Sequence, residues 1–256
     1  MVKVLCLHGG DLNSNKFYDA LVPLFSRLRE TGIDLSLDFV QGHSQERPHR
    51  ETPRHSLDEV DGIRKAHKWL AKKLAHDGPY DGVLACSGGV ALASSFLLYR
   101  QWYDPELAPA FQFAVFISGS IPLKALRDLG VPVSNAAESV VAEAELQRDR
   151  GLGPSASHTA DARRAVFNSD DCFGLNLNSI PLELKIRMPT VHVWGEQDPM
   201  FPTSVQLAGL CDPYIRKIHV HGGKCEVPRD GKDVVELASL LEWCIRCATW
   251  PGQKQC

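Results

Sequence analysis

The order of apolar runs along the chain predicts an α/β fold, doubly wound around a mostly parallel sheet. Three observations carry this. Short runs rich in Val, Ile, Leu and Phe alternate with longer helical patterns. Those runs hold few polar residues, as strands do when both faces of their sheet are covered. The first run ends in the glycine turn His8-Gly9-Gly10, at the carboxyl end of a strand, where open parallel sheets place ligands.

Taken in order, Val2 to Leu7 reads as a buried strand, Lys16 to Thr31 as a helix and Leu35 to Val40 as a second strand. Ser56 to His76 follows as a helix, then the strand Gly82 to Cys86 and an Ala-rich helix from Gly89 to Arg100. Strands are expected at Phe113 to Ile117, Thr190 to Trp194 and Ile215 to His221, with a last helix from Gly231 to Ala248. The rhythm breaks between about Ile121 and Leu184, where helical runs at Ala136 to Arg150 and Ala160 to Phe167 are joined by a Gly/Ser loop. A structureless insertion of that length is unusual inside a compact domain, so it reads as a helical lid over one end of the sheet. The competing reading is a solvated hairpin with no role. The whole chain, 1–256, is expected to be one domain.

Composition excludes several function classes. With 28 Lys+Arg against 31 Asp+Glu there is no basic stripe for a phosphate backbone, so no nucleic-acid partner is expected. No run of eighteen apolar residues occurs, and the N-terminus is too short for a signal peptide, so no membrane partner is expected either. Eight cysteines at irregular spacing in 256 residues fit a reduced, cytoplasmic chain better than a disulfide scaffold. Cys244 and Cys247 form a Cys-x-x-Cys inside a helical stretch, read as one half-buried helix face rather than a redox or zinc pair. His43, His49, His55, His67 and His76 fall in polar loops or helix faces and read as solvated. No metal-ligand spacing appears, and the first glycine loop lacks Gly-x-Gly-x-x-Gly, so no cofactor or metal is implied.

Chemistry concentrates in Ala85-Cys86-Ser87-Gly88-Gly89, between an apolar strand and a helix start. Small residues two positions either side of a serine are what a strained nucleophile elbow requires, which makes Ser87 the candidate nucleophile; a plain strand-to-helix turn is the alternative. The N–H of Gly88, at the helix N-terminus, would face a developing oxyanion. The second donor is expected from Gly10, in the loop after the first strand. Asp198, in the turn after Thr190 to Trp194, supplies an acid in the chain order Ser, Asp, His. The place for the histidine is the segment His221-Gly222-Gly223-Lys224-Cys225-Glu226-Val227-Pro228.

As a set, these segments resemble the family serine hydrolases, small α/β-hydrolases that include a human ovarian-cancer-associated hydrolase, fungal esterases and polyketide-releasing thioesterases. The resemblance runs through Leu5-Cys6-Leu7-His8-Gly9, Asp38-Phe39-Val40-Gln41-Gly42, Gly78-Pro79-Tyr80-Asp81-Gly82, Phe113 to Gly119, His192 to Asp198 and Glu226 to Asp230. It implies an α/β-hydrolase fold and an enzyme acting on a small apolar ester, thioester or polyketide-like metabolite, of the kind made in fungal secondary metabolism. A carrier-bound acyl chain is among the substrates it implies. The family's last motif is Gly-Gly-His-x-x-Pro, whereas counting back three from Pro228 lands on Cys225. The base position therefore holds a thiol, which has no second nitrogen for Asp198 to steer.

Three rescues are open. His221 can swing in through Gly222-Gly223, Lys224 can serve as base if burial depresses its pKa, or the pocket is used without hydrolysis by an isomerase, lyase or cyclase. A catalytically dead ligand-binding protein is the reading from a different class. Cys86 beside Ser87 and acidic Asp11 after Gly10 alter the pocket further.

Overall fold

The computed structural model describes residues 1–9, 14–40, 60–155, 170–229 and 231–249. Six strands run β1 (Val2–Leu7), β2 (Leu35–Phe39), β3 (Gly82–Cys86), β4 (Phe113–Ile117), β5 (Thr190–Gly195) and β6 (Arg216–His221). They form one sheet in the order β2-β1-β3-β4-β5-β6, and every neighbouring pair is parallel. The described helices are α1 (Ser14–Glu30), α2 (Val60–Asp77), α3 (Gly88–Tyr103), α4 (Leu123–Asp128), α5 (Asn135–Asp149), α6 (Phe201–Leu210) and α7 (Gly231–Thr249).

Strand side chains alternate between two cores because the strand repeat is two residues. Val4, Cys6, Leu84, Cys86, Phe113, Val115, Val191 and Val193 pack with Phe17, Leu21 and Leu24 of α1 and Leu237 and Leu241 of α7. Leu5, Leu7, Val83, Ala85, Ala114 and Phe116 face the other way, against α2, α3, α4 and α6. All residues of β3, β4 and β5 are buried, as the apolar runs predict. The chain winds outward in both directions from the β1–β3 pair, so the switch point lies between the carboxyl ends of those strands.

Three sequence readings differ from the structure. Helix α6 has no counterpart among the expected elements, because all ten of its residues are buried, Thr203, Ser204 and Gln206 included, so its polar positions mark no solvent face and no amphipathic period shows. His67 is not solvated: it is half-buried on α2, bonds Ser95 Oγ at 2.9 Å and packs edge-on against Phe96 and Tyr99. Burial lowers its pKa to about 4. The third concerns the thiols. All eight are expected to be reduced, but Cys247 is disulfide-bonded; Cys244 is free and buried, so the Cys-x-x-Cys does not pair within itself.

The insertion folds as α4, α5 and two short 3-10 turns at Leu177–Ser179 and Leu182–Leu184; the expected patch Ala160 to Phe167 lies outside the described residues. Helix α5 is capped by Ser134, whose Oγ accepts the Ala137 N–H at 3.0 Å, and it packs on α6. Among the described residues no helix is long and apolar enough to cross a membrane.

Candidate active site

Ser87 stands between β3 and α3 with φ 53° and ψ −124°, backbone angles that strain any residue with a Cβ. Two bonds hold it there: its N–H donates to the Ile117 carbonyl at 3.0 Å, and its own carbonyl accepts the Val90 N–H at 3.0 Å. Small neighbours are obligatory. A Cβ on Gly89 would lie 2.6 Å from the Leu7 carbonyl oxygen, so only glycine lets α3 begin this close to β1.

Gly9 answers Ser87 from the other side of the switch point. A Cβ there would stand 2.8 Å from the Gly88 nitrogen and 3.0 Å from Ser87 Oγ, so its missing side chain leaves open the space between nucleophile and oxyanion donor. The Gly88 N–H opens a sixteen-residue helix whose dipole favours negative charge at this end. His8 fixes the approach to the loop, with Nε2 3.1 Å from Ser14 Oγ and Nδ1 3.0 Å from the Gly9 carbonyl oxygen. Gly10 and Asp11 lie outside the described residues.

Asp198 lies in the turn after β5, fully buried. Its Oδ1 accepts the Met200 N–H at 2.8 Å. Burial raises its pKa, while the Met200 N–H and the Ser118 hydroxyl favour the charged form. Neither Ser118 Oγ nor Asp198 Oδ2 completes a hydrogen bond of normal geometry. Ser118 is a part of the site that motif reading missed; its signal in the structure is a second positive φ, 47°, at the end of β4.

The β6–α7 loop is locked to the Asp198 turn. The Glu196 N–H donates to the His221 carbonyl at 2.8 Å and the Gln197 N–H to the Gly223 carbonyl at 2.9 Å. A Cβ on Gly195 would stand 2.1 Å from that Gly223 oxygen, so the two turns touch backbone to backbone. This contact brings Cys225 to the wall of a cavity of about 910 Å³ that Ser87, Gly9 and Gly88 also line. Desolvation raises the Cys225 thiol pKa, and the Asp198 carboxylate raises it further. Cys225 is thus a neutral thiol, not a base. Cys86 also reaches the cavity, but it is 1% exposed and burial pushes it up to about 12.

His221 and Lys224 do not line this cavity. His221 is buried beside His219, ring centroids 6.4 Å apart, and its Nδ1 accepts the Gly223 N–H at 3.2 Å. Lys224 is exposed, and its backbone N–H donates to the Glu226 carboxylate at 3.1 Å. The remaining walls are largely apolar, with Ile63, Ile121, Leu123, Val141 and Met200, and α4 and α5 supply much of the cover. Arg148 of α5 enters as a cation that favours the charged forms of Asp198 and Cys225.

A parallel sheet that turns from β3 into a strained serine, and brings an aspartate and a third loop to the same strand ends, defines an α/β-hydrolase. The model described as serine hydrolase (FSH1) matches residues 1–237, and the chain belongs to that family. Its relatives include esterase FPY3 of Fusarium mangiferae, 24% identical over 260 residues, with 94% of this chain and 95% of the relative covered. Esterase alnB of Emericella nidulans is 26% identical over 288 residues, covering 96% and 97%. Among solved structures, mouse alpha/beta hydrolase domain-containing protein 10 superposes with a TM-score of 0.53 at 14% identity, covering 96% of this chain and 90% of that one. A fungal esterase from Rhizomucor miehei also gives 0.53 at 14%, covering 96% and 76%. The structural likenesses speak to the fold alone; the family match makes this a hydrolase-like enzyme.

Proposed function

We propose that the protein acts on a small apolar ester, thioester or polyketide-like metabolite through a degenerate Ser87–Asp198–Cys225 triad. The observation that carries this is the cavity of about 910 Å³, with mostly apolar walls and charged residues such as Lys16, Glu145 and Arg148 among them, which both Ser87 and the Cys225 thiol line. Esterases among the relatives support the substrate class.

The thiol narrows the class by its leaving group. In a complete triad the imidazole takes the seryl proton and then delivers it to the departing alcohol. Here the base position holds Cys225, a thiol with its pKa raised by burial and by Asp198, which serves neither task. An alkoxide cannot depart unprotonated, but a thiolate with a conjugate-acid pKa of about 8.5 can. The favoured substrate is therefore a thioester, as an acyl chain on a carrier would be. Ser87 Oγ attacks the acyl carbon, the Gly88 N–H holds the oxyanion, the C–S bond breaks, and the seryl proton passes through water to the thiolate. The acyl-serine is itself an oxygen ester, so its hydrolysis meets the same lack of a proton donor and is the slow step: water attacks the acyl carbon, its proton passes through solvent to Ser87 Oγ, and the acid leaves.

The test compares the rate at which acyl thioesters and alkyl esters of the same acyl chain acylate Ser87, read as the burst of released thiol or alcohol. The expected result is a thioester preference that collapses at least tenfold in Cys225→His, with both activities lost in Ser87→Ala. Equal rates on both ester types in the wild type would refute the leaving-group argument. A second, non-hydrolytic reading is supported by the same two groups. A carboxyl with raised pKa and a neutral thiol at an apolar cavity are proton-transfer groups for an isomerase, lyase or cyclase. Turnover that survives Ser87→Ala would favour it. Stabilisation by an apolar ligand with no turnover would favour a binding protein.

A further inference from the structure

We propose that His219, Asp233 and Glu236 form a binding site for one divalent transition-metal ion of the zinc class, on the edge of the sheet away from the cavity. His219 projects from β6 toward α7 and is 2% exposed. Asp233 and Glu236 stand three residues apart, on one face of the first turns of α7. The Asp233 carboxylate is 3.5 Å from His219 Nε2, and the Glu236 carboxylate is 3.6 Å from Nδ1. One donor atom from each of the three residues lies within 4.8 Å of the others.

The imidazole points to a ligand. Its Nε2 is buried and makes no hydrogen bond, which is costly for a polar atom unless something else satisfies it. The Asp233 carboxylate oxygen, at 3.5 Å, makes no hydrogen bond to it but stands close to the separation of two ligands on one tetrahedral ion, about 3.3 Å for bonds of about 2.0 Å. Asp233 then needs almost no movement. Glu236 faces the other ring nitrogen, so it must turn toward Nε2 to join the ion; its side chain is 56% exposed and has that freedom. One imidazole nitrogen with two carboxylates suits Zn²⁺ or Co²⁺; calcium and magnesium prefer all-oxygen sites and copper(I) prefers thiolates. Two carboxylates also balance a divalent charge. The residues come from the strand before and the helix after the 222–230 segment, so an ion there ties together both ends of the loop that carries Cys225 to the cavity.

Titration of the full-length, chelator-stripped protein with Co²⁺ tests this, followed by visible d–d absorption and repeated with Zn²⁺ by thermal shift. One equivalent is expected, with nitrogen/oxygen d–d bands and no near-ultraviolet thiolate charge-transfer band. Asp233→Asn and Glu236→Gln should each weaken binding at least tenfold. His219→Gln should abolish it, and Cys225→Ser should leave it unchanged. The two carboxylate variants lie at the surface, so they keep the test open if His219→Gln fails to fold. No binding at about 100 µM Co²⁺, a thiolate band, or binding unchanged in both carboxylate variants would each overturn the site.

Discussion

Asp198 acts on Cys225 by charge: the carboxylate raises the thiol pKa, while its own Oδ2 accepts no hydrogen bond of normal geometry. In a complete triad that oxygen would hold the N–H of the base. A thiol carries only one proton and gains nothing from giving it up beside a carboxylate.

Alkylation rate against pH reads this relationship, since Cys225 is the one exposed residue among the six described free cysteines. The wild-type midpoint should lie above the ordinary thiol value of about 8.5. Asp198→Asn removes the opposing charge and should move the midpoint down, though burial keeps it from falling far. An unchanged midpoint would mean that the carboxylate does not reach the thiol.

Gly9→Ala places a methyl 2.8 Å from the Gly88 nitrogen and 3.0 Å from Ser87 Oγ. The expected loss in acyl transfer is about 10²-fold, the scale of one oxyanion donor, with the fold intact by circular dichroism. The clean assay uses the Cys225→His background, where turnover is high enough to measure a loss. Undiminished turnover would remove Gly88 from the oxyanion site.

Burial lowers the pKa of His192 to about 3, from an ordinary value near 6.5. The unfolded chain therefore binds a proton below about pH 6.5 that the folded chain refuses until about pH 3. Its contribution to stability is complete above 6.5 and is lost as pH falls. At 2% exposure, the loss approaches about 1.4 kcal/mol per pH unit through the window. Urea unfolding at pH 7, 6 and 5 should show a shallower pH slope in His192→Asn than in the wild type; equal slopes would contradict a buried neutral imidazole.

All six strands, the elbow at Ser87, the Asp198 turn and the thiol at 225 are legible in the sequence, because each announces itself within a few residues by an apolar run, a glycine or a fixed spacing. What escapes sequence reading depends on residues far apart in the chain. His67 meets Ser95 across two helices, and Gly9 matters because α3 begins against it. His219 is fourteen positions before Asp233, on a different kind of element, so no ligand spacing appears. Helix α6 is hidden for the opposite reason, since uniform burial erases the periodicity that marks a surface helix.

The most direct test of the central claim is the esterase rate of Cys225→His against wild type on a short alkyl ester, with Ser87→Ala as the control in both backgrounds. An imidazole at 225 would meet the unpartnered Asp198 Oδ2 and restore the missing base, so the rate should rise at least 10²-fold and vanish with Ser87→Ala. A folded Cys225→His protein with no gain in activity would show that the thiol is not what withholds ordinary hydrolysis from this site.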